Sequence, residues 1–316
     1  MIQKIGFNVL QVITVMLLAP LLKGILNRWK ERLQSKRGPS IFQTYFDIWK
    51  LFHKDQVFPE TSTWIFRITP YIVFAAPIFV TLLIPVLTSY PLFFAFMGDM
   101  VGGGFVLALA GFFATLAAVD TSNPYGAMGA SRTRMVSFLA EPVFMMVFFT
   151  VAFVAGSTIP YIVQQYWVES LSNFFEPSHV LIIVAFFMLI IAETGSIPVD
   201  NPSGHFELAM IDESKSLEYS GSGAALMKWA GSMKLFVLLS IFCNVLVSPW
   251  GLASGQSFGE VLIAVPLVFC KLLAVVTLLV IVESSFSKLR LFRISEFLSV
   301  AFIISIAAVL TKLLEL

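Results

Sequence analysis

Continuous apolar runs separated by short polar and basic stretches dominate the chain. About eight of them come near the ~20 residues with which an α-helix crosses ~30 Å of hydrocarbon: residues 5–26, 70–96, 101–120, 138–164, 179–199, 232–250, 259–282 and 295–314. None alternates apolar and polar positions in the blocks of about ten that mark a membrane β-barrel. The pattern predicts an all-α membrane protein with about eight transmembrane helices, each satisfying its own backbone. One segment follows another period. Within 40–55, Ile41, Tyr45, Ile48, Trp49 and Phe52 recur every three or four residues, bounded by Gly38-Pro39 and Phe58-Pro59. That predicts an amphipathic helix lying in the interface or against the bundle. The first run begins within five residues of Met1 and ends in Leu26-Asn27-Arg28-Trp29-Lys30. It reads as a retained anchor, because a signal-peptide core is shorter and ends in small residues.

The basic residues fall on alternate connections. Lys23, Arg28, Lys30, Arg32, Lys36, Arg37, Lys50, Lys54 and Arg67 follow the first run. Arg132 and Arg134, then Lys215 and Lys228 with Lys234 just inside the sixth run, then Lys288, Arg290 and Arg293 share that side. The connections near 97–101, 165–178 and 251–258 carry none. Under the positive-inside rule both termini lie outside the cytoplasm. Residues 27–69 and the acidic loop 200–228 then lie within it, and residues 1–316 read as a single membrane domain.

Composition agrees. The chain is 58% hydrophobic and 12% charged, half the ~25% charge of a soluble protein, with a mean hydropathy of +0.89. The 20 basic and 19 acidic residues nearly cancel, so no cationic surface points to nucleic acid. Cys243 and Cys270 lie in apolar runs, and His53, His179 and His205 are far apart. That argues against a disulfide framework, a zinc site, a haem or an iron–sulfur ligand set. Electrons in any redox chemistry would belong to a partner.

Ionisable residues at bilayer depth cost about 2.5–3.5 kcal/mol on insertion scales, so they normally face a cavity or a partner. Glu193 stands fourteen residues into the fifth run, Glu141 beside Pro142 near the start of the fourth, and Lys271 midway along the seventh. Asp120 and Glu283 stand at cytoplasmic ends, where a buried ion pair or an interfacial position explains them best. A snorkelling chain suits Lys271 as well as a functional role does, and suits Glu193 least. Buried carboxylates relay protons when their pKa rises toward neutrality. From Glu193 the series continues through Asp200, His205, Glu207, Asp212, Glu213 and Glu218 toward the cytoplasm. A solvated acidic loop explains Asp212 alone, yet Ile197-Pro198-Val199 and Phe206-Glu207-Leu208-Ala209-Met210-Ile211 are too apolar for a free linker. The expected proton path is Glu141, Glu193, Asp200, His205, Glu207, Glu213, Glu218 and Lys271. No nucleophile constellation or phosphate-cradling loop is visible, and Gly102-Gly103-Gly104 reads as a tight turn or packing site.

Four stretches carry a family resemblance. Arg37-Gly38-Pro39 with Asp47-Ile48-Trp49-Lys50-Leu51 and Lys54-Asp55 resembles the first cytoplasmic loop of respiratory complex I subunit 1, and of the equivalent membrane subunit of energy-converting nickel–iron hydrogenases and formate hydrogenlyase. Asp120-Thr121-Ser122-Asn123-Pro124 with Gly126, Gly129-Ala130-Ser131-Arg132 and Glu141-Pro142 is similar to the family's entry to its fourth helix. Ala192-Glu193-Thr194, Pro198, Asp200, Glu207-Leu208 and Glu218-Tyr219-Ser220-Gly221 resemble its acidic loop. Glu283-Ser284-Ser285 with Lys288-Leu289-Arg290 resembles the hydrogenase branch. The separation of eleven positions between Glu207 and Glu218 is longer than in complex I and also favours that branch. Ser196 stands where family members commonly carry arginine, and Ser203 and His205 where the complex I loop is acidic. His205, with an ordinary pKa of about 6.5, supplies a titratable group instead.

The resemblance implies a non-catalytic subunit that joins a peripheral redox arm to antiporter-like membrane subunits. The arm would hold the nickel–iron centre in a large subunit and iron–sulfur clusters in a small one. Loops 23–69, 120–137 and 200–228, with Arg37, Asp47, Lys50, Asp120, Arg132 and Arg134, would form the docking surface. Redox events there would bias protonation of Glu141, Glu193, Glu207, Glu213 and Glu218 and so drive proton or sodium movement. Three other readings stand beside it: a quinone-chamber subunit, a stand-alone secondary transporter and a plain anchor.

Overall fold

A computed structural model describes residues 2–169, 174–200, 211, 213–255 and 257–315; His205, Glu207 and Asp212 lie outside the described residues. The helices run α1 (Ile2–Leu33), α2 (Gln43–Phe52), α3 (Trp64–Leu83), α4 (Met100–Asp120), α5 (Pro124–Ala155), α6 (Pro160–Glu169), α7 (Pro177–Glu193), α8 (Gly221–Ile241), α9 (Phe258–Ser285) and α10 (Arg293–Glu315). Seven are long and apolar enough to cross a membrane, and α7, with 17 residues, is a shorter apolar helix. Among the described residues there is no strand beyond an isolated bridge between Thr88 and Ala253.

Local chemistry moves several boundaries away from the hydropathic runs. Helix α3 stops at Leu83 instead of running to 96, because Pro85 holds Ile84 extended at φ −100° and ψ 153°. The run 138–164 is two helices. Gly156, left-handed at φ +70°, ends α5, and Pro160 opens α6. Helix α5 begins earlier, at Pro124, behind an Asn123 cap whose side chain accepts from the Tyr125 amide at 2.9 Å. Helix α7 ends at Glu193 instead of reaching 199, and α8 starts at Gly221 and passes into a π-helical segment, Phe242–Val247. Glu141 is thereby 17 residues into α5, about 26 Å along its axis, while Glu193 is the last residue of its helix. Their expected depths exchange.

Helix α8 is the hub. In its most apolar stretch 83% of residues are buried, against 22% in α10. It packs against α1, α2 and α3; α3 also lies along α4, and α10 lies along α5 and α7. Helix α2 does not bury the stripe its spacing suggests. Thr44 and Ile48 face inward, whereas Phe46 and Trp49 are 62% and 69% exposed. Two polar contacts hold it instead: the Tyr45 hydroxyl donates to the Leu17 carbonyl, and Asp47 pairs with Lys228 on α8 at 2.7 Å.

The basic connections gather at one end of the bundle. There Asp120 accepts from the amide and hydroxyl of Thr63 (2.7 and 3.0 Å), the Ser220 hydroxyl bonds both backbone groups of Val57, and the Tyr219 ring stacks on Phe66 at 4.1 Å. At the opposite end, two irregular stretches enter the core and lie side by side. Ser89 donates to Ala253 and Ala253 to Leu87 (3.0 and 2.9 Å), and Val86, Leu87 and Thr88 are essentially unexposed. Backbone outside regular structure is tolerated at such depth only where other groups meet its hydrogen bonds. Gln11 donates to Thr81 and Ile84, Asn244 to Pro85 and Val86, Gln164 to Pro249, and Lys271 to Ser248 and Trp250.

Candidate functional site

The central feature of the basic half is an ion pair. Glu193, at the C-terminus of α7, meets Lys234 of α8 at 2.7 Å, with 21% and 29% of the side chains exposed. The pair lines a cavity of about 110 Å³ together with Glu141, Asp200, Lys215 and Gly111. A second cavity of about 470 Å³ shares Glu193, Lys215 and Lys234, and continues past Glu213 to Lys23, Asp47 and Lys228. The two cavities share lining residues, so titratable groups line the space from the middle of α5 to the underside of α2.

Each wall has a local cause. Helix α4 approaches closely because Gly104 has no side chain; a Cβ there would come within 2.0 Å of the Phe144 ring. Beside Glu141, Pro142 has no N–H to give the Phe138 carbonyl, which weakens α5 at that turn. Glu141 is half-buried and has no ion pair or hydrogen bond among the described residues. Asp200 is 2% exposed: one oxygen pairs with Lys288 at 2.8 Å, the other accepts from the Ile211 amide at 3.0 Å. The Leu289 amide also reaches the Pro198 carbonyl at 2.8 Å. Asp200 thus clamps the start of the acidic loop to the α9–α10 connection while standing in the cavity wall.

The other expected path residues are distributed. Glu213 opens a 3-10 turn, Glu213–Ser216, seated on α5 and α4. Ser214 in that turn lies where a Cβ on Gly129 would fall, 1.8 Å away. Glu218 accepts from the Asn123 side chain, tying the loop to the α5 cap. Lys271 belongs to the opposite end, on the Ser248 and Trp250 carbonyls, and lines neither cavity. Of the expected docking residues, Asp47 binds Lys228, Asp120 binds Thr63, and Arg134 lies over the Phe112 ring at 5.0 Å. Arg37 and Lys50 are exposed and Arg132 is half-buried.

Sequence reasoning placed Lys234 only just inside its helix and did not make it the counter-ion of Glu193. At Glu283 a buried ion pair was among its expectations, but not the partner, Lys30, 3.0 Å away with 6% and 2% side-chain exposure. The available signal was the register of Lys30 and Lys234 inside longer helices than the hydropathic runs imply. Among the described residues no group of three or more His, Cys, Asp or Glu side chains is arranged to hold a metal ion.

Comparison with known proteins places these features. The family model described as NADH dehydrogenase matches residues 7–313. Formate hydrogenlyase subunit 4 of Escherichia coli (strain K12) is 35% identical over 287 residues, covering 90% of this chain and 91% of that protein. Hydrogenase-4 component C of the same strain is 32% identical over 289 residues, covering 90% and 88%. A chain of the membrane-bound sulfane sulfur reductase, an archaeal respiratory membrane complex, superposes with a TM-score of 0.82 at 19% identity, covering 97% of this chain and 98% of that one. That last likeness is one of fold.

Proposed function

Since the chain belongs to the NADH dehydrogenase family over residues 7–313, we propose that it is the membrane subunit of a formate hydrogenlyase- or hydrogenase-4-type complex. In this reading its basic end seats a peripheral arm of hydrogenase-like large and small subunits, which carry a nickel–iron centre and iron–sulfur clusters. Its carboxylates pass redox energy to proton or sodium movement, with antiporter-like subunits as neighbours in a prokaryotic inner membrane. The two hydrogenase-type relatives, matched over nine-tenths of the chain, support the complex.

The Glu193–Lys234 pair, with Glu141 in the same cavity, carries the coupling. An ion pair in a low-dielectric setting holds its carboxylate charged only while the cation stays close. Displacement of Lys234 by an event at the basic end would leave the Glu193 carboxylate without its counter-ion beside Glu141. Glu141, with no partner among the described residues, stands ready to exchange a proton with it. The pair therefore converts a mechanical or electrostatic disturbance into proton uptake, and its re-formation into release.

Glu193→Gln in the intact complex tests this. The variant is expected to assemble and keep its redox turnover while losing ion translocation in proteoliposomes. Full translocation in that variant would overturn the carboxylate role and leave an anchor. Co-purification of hydrogenase-like large and small subunits tests the placement in the complex. The 470 Å³ cavity supports a second reading, a quinone chamber, since it falls in the 300–1,000 Å³ range of small-molecule sites. Inhibition of turnover by quinone-site ligands distinguishes it.

A further inference from the structure

The end of the bundle away from the carboxylates holds a second polar set with no place in the reading above. Asn8 and Gln11 lie one turn apart on α1, Gln164 and Trp167 one turn apart on α6, and Asn244 lies in the π-helical segment. None is more than 1% exposed. Gln11, Gln164 and Asn244 each use the amide nitrogen on backbone carbonyls of the two buried irregular stretches. Among the described residues their amide oxygens and that of Asn8 meet no protein donor, and the Asn8 amide nitrogen and the Trp167 indole N–H meet no protein acceptor. The groups converge. The Ile84 carbonyl that binds Gln11 also accepts from Tyr161 on α6 at 3.3 Å, the next carbonyls bind Asn244, and α6 packs on the π segment.

A buried polar group left without a partner costs about 1–3 kcal/mol, and native proteins meet such groups with ordered water or an ion. Three occupants can be compared on chemistry. A side chain from another subunit has no approach, because the residues are shut inside this chain. A metal cation wants oxygen ligands alone, and usually carboxylates, whereas this set mixes neutral acceptors with N–H donors. Water both donates and accepts, and a buried water typically makes about three such bonds.

We infer that ordered water molecules are built into this end of the bundle, bound by Gln11, Gln164 and Asn244, and that they complete the hydrogen bonding of the amide side chains that hold the two irregular stretches. This hydrated site is separate from the carboxylate cavity. Between them lies an aromatic layer, Phe144, Phe148, Phe186 and Phe242, with successive ring centroids 4.4, 5.6 and 6.2 Å apart. Phe144 lines the carboxylate cavity and Phe242 opens the π segment that carries Asn244. This aromatic layer links the wall of the carboxylate cavity to the segment that carries Asn244.

Synchrotron X-ray footprinting of the intact complex tests the site, because radicals generated from bound water oxidise the side chains beside it. Tyr161, 2% exposed, and Trp167, unexposed, are expected to be oxidised well above Phe148, also 2% exposed, after correction for intrinsic reactivity. Asn244→Leu or Gln11→Leu is expected to lower Tyr161 oxidation several-fold. Tyr161 and Trp167 as inert as Phe148 in the wild-type complex would overturn the inference without any variant. Tyr161 oxidation unchanged in both variants would also overturn it, by placing the water elsewhere.

Discussion

Lys30 and Glu283 join α1 to α9 at the basic end with almost no solvent contact, and the contact lies off the hydrogen-bonding axis of Glu283 Oε2. Removing one charge leaves the other buried and alone, at a cost of about 3–5 kcal/mol. Lys30→Met and Glu283→Gln are each expected to lower the thermal stability of the purified complex strongly. The double substitution Lys30→Met/Glu283→Gln should recover most of the loss; a loss in the double variant equal to the sum of the two single losses would show that the charges act independently. The same logic marks the limit of sequence reading at this scale. Glu141 and Glu193 stand out because a carboxylate in an apolar run is costly wherever it points. Their surroundings do not stand out, because Lys234 reaches Glu193 from a helix 41 positions away, and no local period encodes that meeting.

Elements add constraints that single residues do not show. The 3-10 turn sits against α5 through the bare face of Gly129, where even a methyl group meets Ser214 Oγ at 1.8 Å and Cβ at 2.6 Å. Gly129→Ala is expected to lift the turn away, seen as faster proteolysis of the acidic loop, and Ser214→Gly should restore protection. Helix α2 is held differently. Burial pushes the Asp47 carboxyl up, but the hydrogen bonds from Lys228 and Gln43 and the Lys228 and Lys50 charges outweigh it and hold the group below its ordinary 3.8. A depressed pKa contributes stability that is fully present above the ordinary carboxylate range and is lost as pH falls through the lowered value. The melting difference between wild type and Asp47→Asn should therefore be constant from pH 5 to 8 and shrink only in stronger acid, as read by thermal melts across pH. With 32% and 47% of the two side chains exposed, solvent screening keeps the clasp under about 1 kcal/mol. The period of α2 was legible in the sequence, whereas its polar contacts at Tyr45 and Asp47 were not, because Leu17 and Lys228 belong to elements distant in the chain. Boundaries followed the same rule: hydropathy located the spans, and Pro85, Gly156 and the Asn123 cap decided where they stop.

The whole molecule has two chemically distinct ends, a basic one with carboxylates and one rich in buried amides around Lys271. That polarity predicts its orientation. In a Cys270→Ser background, a Gln34→Cys variant is expected to react with an impermeant maleimide only from the cytoplasmic side of vesicles, and Ser254→Cys only from the other; reversed labelling would invert the topology. The amide end was the least legible part of the chain. Gln11, Gln164 and Asn244 are uncharged, so they hardly disturb hydropathy, and their partners are backbone carbonyls, which no side-chain pattern reports. Those contacts also impose an order on biogenesis. The Pro85 and Val86 carbonyls bond to Asn244, 159 and 158 positions later. When α3 first leaves the ribosome, its trailing segment has no permanent acceptor-to-donor match, and lipid cannot supply one. Final packing of that segment is therefore expected to follow synthesis of the π-helical segment that carries Asn244.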